Sequence, residues 1–437
     1  MTKKFIVTDI RREDVFPNTD YRFSRLKETD IKVVLERDFL GENPLHYYID
    51  IQAGELLVAS NICDIREYLE RQHRTFTWER VRAVSNNSRT TIDDAVFISA
   101  SAQEEEIGPT LQDYEPQEPV DYADVALAGK RVRDLLQKSI EMRLSGIADT
   151  EVGLLLSGGL DSMSVGYLLS QAKKVTAFTL KVDEVERDIV KSRELAQSFG
   201  IDLSEIKIEQ DHNGLSLTLQ RYSPTRELRY TKKIADGISL DTVITDALTI
   251  SGNPKKDNLF CAVAMYLAGQ AIRAEGLNAV FCGEGPNEMI NDYGYNPRDF
   301  GYGTDDKGNV QFREALTFGL KKTDRQLGRG GLAKHALARM GKIFAHSKLR
   351  LEAPYFARDI ARVLTRVPHI TSYDTIKQHI VGAMFDSEEL DSFIQGTSKE
   401  KFQDGSGVSK LCKDYDQRKL IELFEGIYGI KKTGYLK

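Results

Sequence analysis

Between a short apolar run and a helix-like segment the chain reads Leu155-Leu156-Ser157-Gly158-Gly159-Leu160-Asp161-Ser162. Paired glycines let a backbone pass close to a ligand, and Ser157 and Ser162 add hydroxyl donors. The N–H groups of such a turn, with those opening the next helix, make an anion site that the helix dipole reinforces. Leu156, Ser157, Gly158, Gly159 and Ser162 are therefore candidate phosphate contacts. A carboxylate inside that cradle repels phosphate unless a divalent cation stands between them, which assigns Asp161 to a metal. The competing reading is a plain tight turn with Ser and Asp as helix caps. A lone glycine pair would favour that reading, whereas the whole run from Ser157 to Ser162 between strand and helix favours phosphate. No GxxxxGK[ST] pattern occurs, so this is not a Walker A loop.

The elements around the loop have a consistent pattern. Gly153–Leu156 and Val175–Leu180 read as buried strands, and the segments to Gln171 and from Ile189 to Ser198 as helices. Leu259 to Ala274 reads as a long apolar helix, followed by a strand Ala279–Cys282. Such alternation argues for a parallel sheet with crossover helices. A helical pattern from Val125 to Leu144 precedes it, and the chain beyond residue 300 reads as mostly helical. The first hundred or so residues instead show short alternating runs, such as Ile31–Leu35 and Glu55–Ala59, separated by turn residues. Between these regions, residues 103–119 are acidic and punctuated by Pro109, Pro116 and Pro119, a linker signal. A chain of 437 residues exceeds what one core usually serves. The expected layout is a smaller β-rich domain over 1–118 and an α/β, parallel-sheet domain over 119–437.

Composition narrows the partners. With 41% apolar and 29% charged residues the chain is ordinary globular protein. No uncharged apolar run approaches the roughly 20 residues that span a bilayer, and Asp9 interrupts any signal-peptide core. The cysteines Cys63, Cys261, Cys282 and Cys412 lie far apart without metal-ligand spacing, so a reducing, cytoplasmic setting is expected. A net charge of −6 disfavours nucleic acid. Small molecules or peptides are the expected partners; a homodimer is left open.

The run SGGxDS at Ser157–Ser162 resembles the PP-loop of ATP pyrophosphatases, which cut ATP between the α and β phosphates and leave AMP on the substrate. Gly283-Glu284-Gly285-Pro286-Asn287-Glu288-Met289, with Asn291-Asp292-Tyr293, resembles the GEGADE…GGY segment of asparagine synthetases. Ala345–Phe356 is similar to their segment reading EARVPF, and Ser398–Val408 to their K-x-x-F-x-D-G-x-G loop. The last is also similar to the K…GSG loop of β-lactam synthetases. These landmarks follow family order over roughly residues 125–410.

The resemblance implies ATP and Mg2+ as cofactors, with Asp161 and Asn287 on the metal and Gly283 beside the nucleotide. It implies Lys399 as the cation for the α-phosphate, Lys401 as a weaker second, and Glu284 as the base that takes a proton from the attacking amine. For Lys401 a solvated surface loop competes evenly, and for Glu284 the rival is a helix-start carboxylate. Two departures stand out. Asn287 replaces the family's second metal-binding Asp, so that Glu288 is a possible helper, and Arg350 with Glu352 exchange the two charges of EAR. The exchange fits either a swapped structural pair or a different substrate. His346 reads as a packing residue rather than a base.

Arg37–Tyr48 with Gly54–Ser60 looks like part of the family's glutaminase (Ntn-type) domain. That chemistry needs an N-terminal Cys, but the second residue is Thr2 and no Cys precedes Cys63. The front domain is expected to be an inactive remnant.

The leading expectation is an AMP-forming carbon–nitrogen ligase joining a small-molecule or peptide carboxylate to an amine, ammonia or peptide, in specialised metabolism such as antibiotic biosynthesis. Intramolecular ring closure, of the β-lactam or lasso-peptide type, is the second enzymatic reading; Glu284 in place of Tyr counts against its β-lactam branch. A non-catalytic nucleotide-binding scaffold is the third.

Overall fold

The computed structural model describes residues 5–11, 24–37, 43–84, 88–99, 102, 104–106, 124–182, 187–318, 336–367, 373–385, 390, 393–394 and 406–430. Its first part is β-rich, with strands β1 (Ile6–Asp9), β2 (Ser24–Glu28), β3 (Lys32–Arg37), β4 (His46–Asp50), β5 (Glu55–Ala59), β6 (Val81–Ala83), β7 (Ser88–Asp93) and β8 (Glu104–Glu106). They form two four-stranded sheets, ordered β1-β5-β4-β6 and β2-β3-β7-β8. Alternation along the strands separates two faces. Leu56 and Val58 of β5 join Val33, Leu35 and Ile92 of the other sheet in one core. Leu57 and Tyr48 face the opposite way, under α1 (Ile62–Arg71) with its Ile65 and Leu69. A short helix α2 (Asp94–Ser99) follows β7.

The sequence put Glu104–Glu106 in a linker, but these residues form a strand antiparallel to β7. The edge of β7 offers unpaired backbone groups, and Arg89 meets Glu105 at 3.3 Å, so tertiary pairing overrides an unfavourable local composition. The rest of the expected linker lies outside the described residues.

The larger part holds α3 (Val125–Ser145), α4 (Leu160–Ala172), α5 (Arg187–Ser198), α6 (Leu240–Ser251), α7 (Lys256–Ala274), α8 (Pro286–Met289), α9 (Asp306–Phe318), α10 (Ala338–His346), α11 (Arg358–Arg366) and α12 (Tyr373–Met384). These surround a sheet of β9 (Glu151–Leu155), β10 (Lys174–Lys181), β11 (Asp202–Asp211), β12 (Gly214–Tyr222), β13 (Leu228–Ile238), β14 (Ala279–Phe281) and β15 (Arg350–Glu352). The strand order is β13-β12-β11-β10-β9-β14-β15. β11 through β15 by way of β10, β9 and β14 pair in parallel. The fold is mixed α/β, with a large parallel-rich sheet and a smaller β-rich N-terminal region.

One arm of the sheet differs from the parallel layout expected. β12 and β13 add to β11 as antiparallel strands. Leu215, Leu217 and Leu219 alternate inward along β12. The turn is favoured by Gly214, at φ +128°, and by Asp211, whose Oδ1 accepts from the Asn213 N–H at 2.7 Å. Among the described residues, no helix is long and apolar enough to cross a membrane.

Arg350 and Glu352, the exchanged charges, lie in an internal network. Glu352 is fully buried and pairs with the equally buried Arg143 at 2.7 Å and with Arg350. Arg143 also donates to the Phe356 carbonyl at 3.1 Å, and Arg350 to that of Gly146 at 2.6 Å. The exchange thus ties the end of α3 to β15, which is the structural one of its two sequence readings. Removing the acid leaves a buried guanidinium uncompensated. Glu352→Ala is expected to cost about 3–5 kcal/mol of stability by urea denaturation; a loss below about 1 kcal/mol would show that the network carries little.

Candidate active site

The loop between β9 and α4 is shaped by its own hydroxyls. Gly158 sits at φ +74°, a conformation that disfavours side chains, and Gly159 caps α4. Ser162 Oγ donates to the Gly159 carbonyl at 3.0 Å and accepts from the Ser157 N–H at 3.3 Å. It also lies 3.2 Å from Ser157 Oγ. The Leu156 N–H reaches the Phe178 carbonyl at 2.9 Å, and Ser192 holds the Leu156 carbonyl at 2.8 Å. The cradle is therefore anchored to β10 on one side and α5 on the other.

The second candidate segment meets this loop at close range. Parallel pairing of β14 with β9 carries Gly283 onto the first turn of α4. A Cβ at Gly283 would fall 2.5 Å from both the Asp161 carbonyl carbon and the Ser162 nitrogen. Gly285, at φ +135°, then turns the chain into α8, which bears Asn287.

Asp161 and Asn287 come together, as the sequence reading required, around a group it did not select. Lys377 of α12 places its Nζ 2.5 Å from Asp161 Oδ2, 2.6 Å from Asn287 Oδ1 and 3.5 Å from Asp292 Oδ2. Burial opposes the lysine's charge, but Asp161 and Asp292 outweigh it and raise its pKa. Its neighbours lie 216 and 90 positions away in the chain, so no local pattern could have pointed to it. Asp292 belongs to the Asn291-Asp292-Tyr293 motif, to which the sequence assigns no role at this position. Its position had a signal: the sequence places it five residues after Asn287, at the end of the same turn.

Two oxygen-rich carboxylates and an amide oxygen converging on one cation are the donor set that magnesium takes. The donor chemistry suits that ion, although in this structure the Lys377 ammonium takes the place between the oxygens. Glu288 faces elsewhere, with its Oε1 accepting from the Tyr293 hydroxyl at 2.6 Å. An apolar wall of Val132, Pro286, Ile290, Tyr355 and Met384 closes the space behind Asp161 and Lys377.

Glu284 stands beside this cluster, half-buried. Burial raises its carboxyl pKa from the ordinary 4.5, and Asp161 adds to the rise; Arg339 and Lys377 pull the other way. The same surroundings raise the Tyr293 hydroxyl, chiefly by burial and then by Glu288 and Glu284. His346 lies exposed at the end of α10, its ring 6.2 Å from that of Tyr266. It packs less than the sequence reading expected, because it falls on the outer side of the helix's last turn. Lys399, Lys401 and Thr2 lie outside the described residues.

The glycine loop leaves the carboxyl end of a central parallel strand beside clustered carboxylates, at the sheet's switch point, where open α/β sheets take ligands. Residues 131–219 match the family model of asparagine synthase. The chain is also 25% identical over 308 residues to a probable glutamine-hydrolysing asparagine synthetase of Schizosaccharomyces pombe, covering 67% of this chain. It spans about half of that relative, 49% of its length. Together these matches support an asparagine synthetase-like family for the chain.

The close approach at Gly283 gives a direct test. Gly283→Ala must push the start of α4 aside, and a shift of the order of an ångström at a reacting centre costs about 100-fold in rate. ATP-dependent turnover should fall by about that factor, and the melting midpoint should drop with it because the collision is with backbone; unchanged turnover in the folded variant would mean that the loop does not position the nucleotide.

Proposed function

We propose that the protein makes amide bonds at the expense of ATP, activating a carboxylate as an acyl-adenylate and passing the acyl group to an amine. The observation that carries this reading is the convergence of Asp161, Asn287, Asp292 and Lys377 at the ends of β9 and β14, with Glu284 beside them.

In the first step the substrate carboxylate oxygen attacks the α-phosphorus. The bond from that phosphorus to the bridging oxygen breaks, and pyrophosphate leaves with the electron pair. The N–H groups of residues 157–162 hold the phosphates, and Lys377 supplies a fixed positive charge beside the departing group. Asp161, Asn287 and Asp292 would hold Mg2+ in place of the Lys377 ammonium they meet in this structure, and the ion would neutralise phosphate charge. In the second step the amine nitrogen attacks the acyl carbon, and AMP leaves as the carbon–oxygen bond breaks. Glu284 takes the proton that the nitrogen sheds. Lys399 and Lys401 remain proposed on their motif.

A free amine, ammonia or a peptide amine is the proposed nucleophile, in specialised metabolism, with Glu284 beside the cluster to accept its proton.

Incubation with ATP, magnesium and a panel of acids should yield AMP and pyrophosphate in equal amounts; ADP with orthophosphate would reject the reading. Asp161→Asn should lower that yield by about 100-fold or more by removing a charge that holds the metal. Asn287→Asp should tighten magnesium binding, read by the concentration needed for half-maximal turnover.

The pH dependence follows from Glu284. A general base must be ionised, and its carboxyl titrates above the ordinary 4.5. The amine-transfer step should therefore rise with pH through an apparent pKa above that value. Glu284→Gln should remove this rise while pyrophosphate release persists. A profile unchanged by the substitution would transfer the role to another group.

A further inference from the structure

Lys377 stands where the chemistry above needs a metal. A lysine ammonium has three N–H donors, and three oxygens meet this one: Asp161 Oδ2 at 2.5 Å, Asn287 Oδ1 at 2.6 Å and Asp292 Oδ2 at 3.5 Å. They come from α4, from α8 and from the turn after α8, so a single side chain gathers three separate segments. Two carboxylates facing one ammonium leave one negative charge uncompensated, whereas a divalent ion would balance both. With ammonium and ion together, like charges would stand a contact distance apart in a poorly solvated space. The two cations are therefore alternative occupants of one position.

The surroundings show which part of the lysine can give way. α12 is seated on α3 so closely that a Cβ at Gly129 would fall 2.6 Å from both the Ala383 Cβ and the Ile380 carbonyl oxygen. Ile380, Val381 and Met384 of the same helix are buried. Release thus falls to the flexible four-carbon stem of Lys377 rather than to its backbone. Beside the stem lies the apolar wall of Val132, Pro286, Ile290, Tyr355 and Met384, against which a bare ammonium is costly. The side chain is 14% exposed, which leaves solvent at the mouth of the glycine loop as its way out.

We propose that Lys377 is a tethered stand-in for the metal. It holds Asp161, Asn287 and Asp292 together while the cleft is empty, and a divalent cation enters only by displacing it. The displaced ammonium swings out to the mouth of the loop, where the phosphates are proposed to lie. The inference rests on the assignment of the metal to these three residues.

Metal binding to the full chain, without nucleotide, acid or amine, tests it. Mn2+ is the probe, followed through the electron paramagnetic resonance signal of the free ion. Lys377→Met and Lys377→Gln should each bind Mn2+ about tenfold or more tightly than wild type, since the ion no longer has to break charge-assisted hydrogen bonds. Adding Asp161→Asn to either variant should abolish the gain. Without metal the two variants should melt below wild type, and Mg2+ should raise their midpoints more than it raises that of wild type. In wild type, saturating Mg2+ should increase the reductive methylation of Lys377, read by peptide mass spectrometry. Equal or weaker Mn2+ binding in the variants, no binding by any of the proteins, a gain that survives Asp161→Asn, or labelling indifferent to Mg2+ each overturns the proposal. Where a variant gives no cooperative melting transition, the labelling of wild type decides. Because none of these measurements uses ATP or an acid, amide formation stands or falls separately, on its own products.

Discussion

The cleft depends on one close approach, that of Gly283 to the first turn of α4. β14 lies next to β9, with Val280 opposite Gly153 and Phe281 opposite Leu154. That register brings both loops out at the same level. The sheet's order also reverses here, since β10 and β11 extend from β9 on one side and β14 and β15 on the other. A crevice at such a reversal is where open α/β sheets take their ligands. A side chain at position 283 would collide with the backbone of Asp161 and Ser162 and force the two loops apart.

Two charged clusters show what distinguishes a site from a brace. Arg143, Glu352 and Arg350 are packed inside, and their remaining donors go to backbone carbonyls of Phe356 and Gly146. These contacts join α3 to β15, so the exchanged pair acts as a brace. Around Lys377 the same kinds of group converge at the mouth of the glycine loop. There the cation is held by side chains from α4, α8 and the turn after it, elements whose common feature is the space between them.

What the sequence made legible follows from the range of the forces involved. The glycine loop, its flanking strand and helix, and the pairing of Asp161 with Asn287 rest on local pattern and motif order. Lys377 rests on neither: Tyr373–Met384 reads simply as a helix, and only the packing of α12 on α3 brings the lysine to Asp161. Glu104–Glu106 failed for a related reason, since three glutamates become a strand only when the edge of β7 is there to receive them. The hairpin of β12 and β13 did carry a local sign, the alternation of Leu215, Leu217 and Leu219, which the reading of a parallel sheet did not use.

The front sheets are joined to the larger part by aromatic packing and by charge. Trp78 sets its ring 5.2 Å from Phe424 and 4.7 Å from Tyr428 of the helix Gln417–Tyr428, with Phe76 5.8 Å from Tyr428. Arg66 of α1 donates to the Ile427 carbonyl at 3.2 Å. Such contacts bury large rings at low entropic cost and fix the two regions against each other. Charge acts across the two parts as well, since Lys342 and Arg37 both help burial hold His46 uncharged.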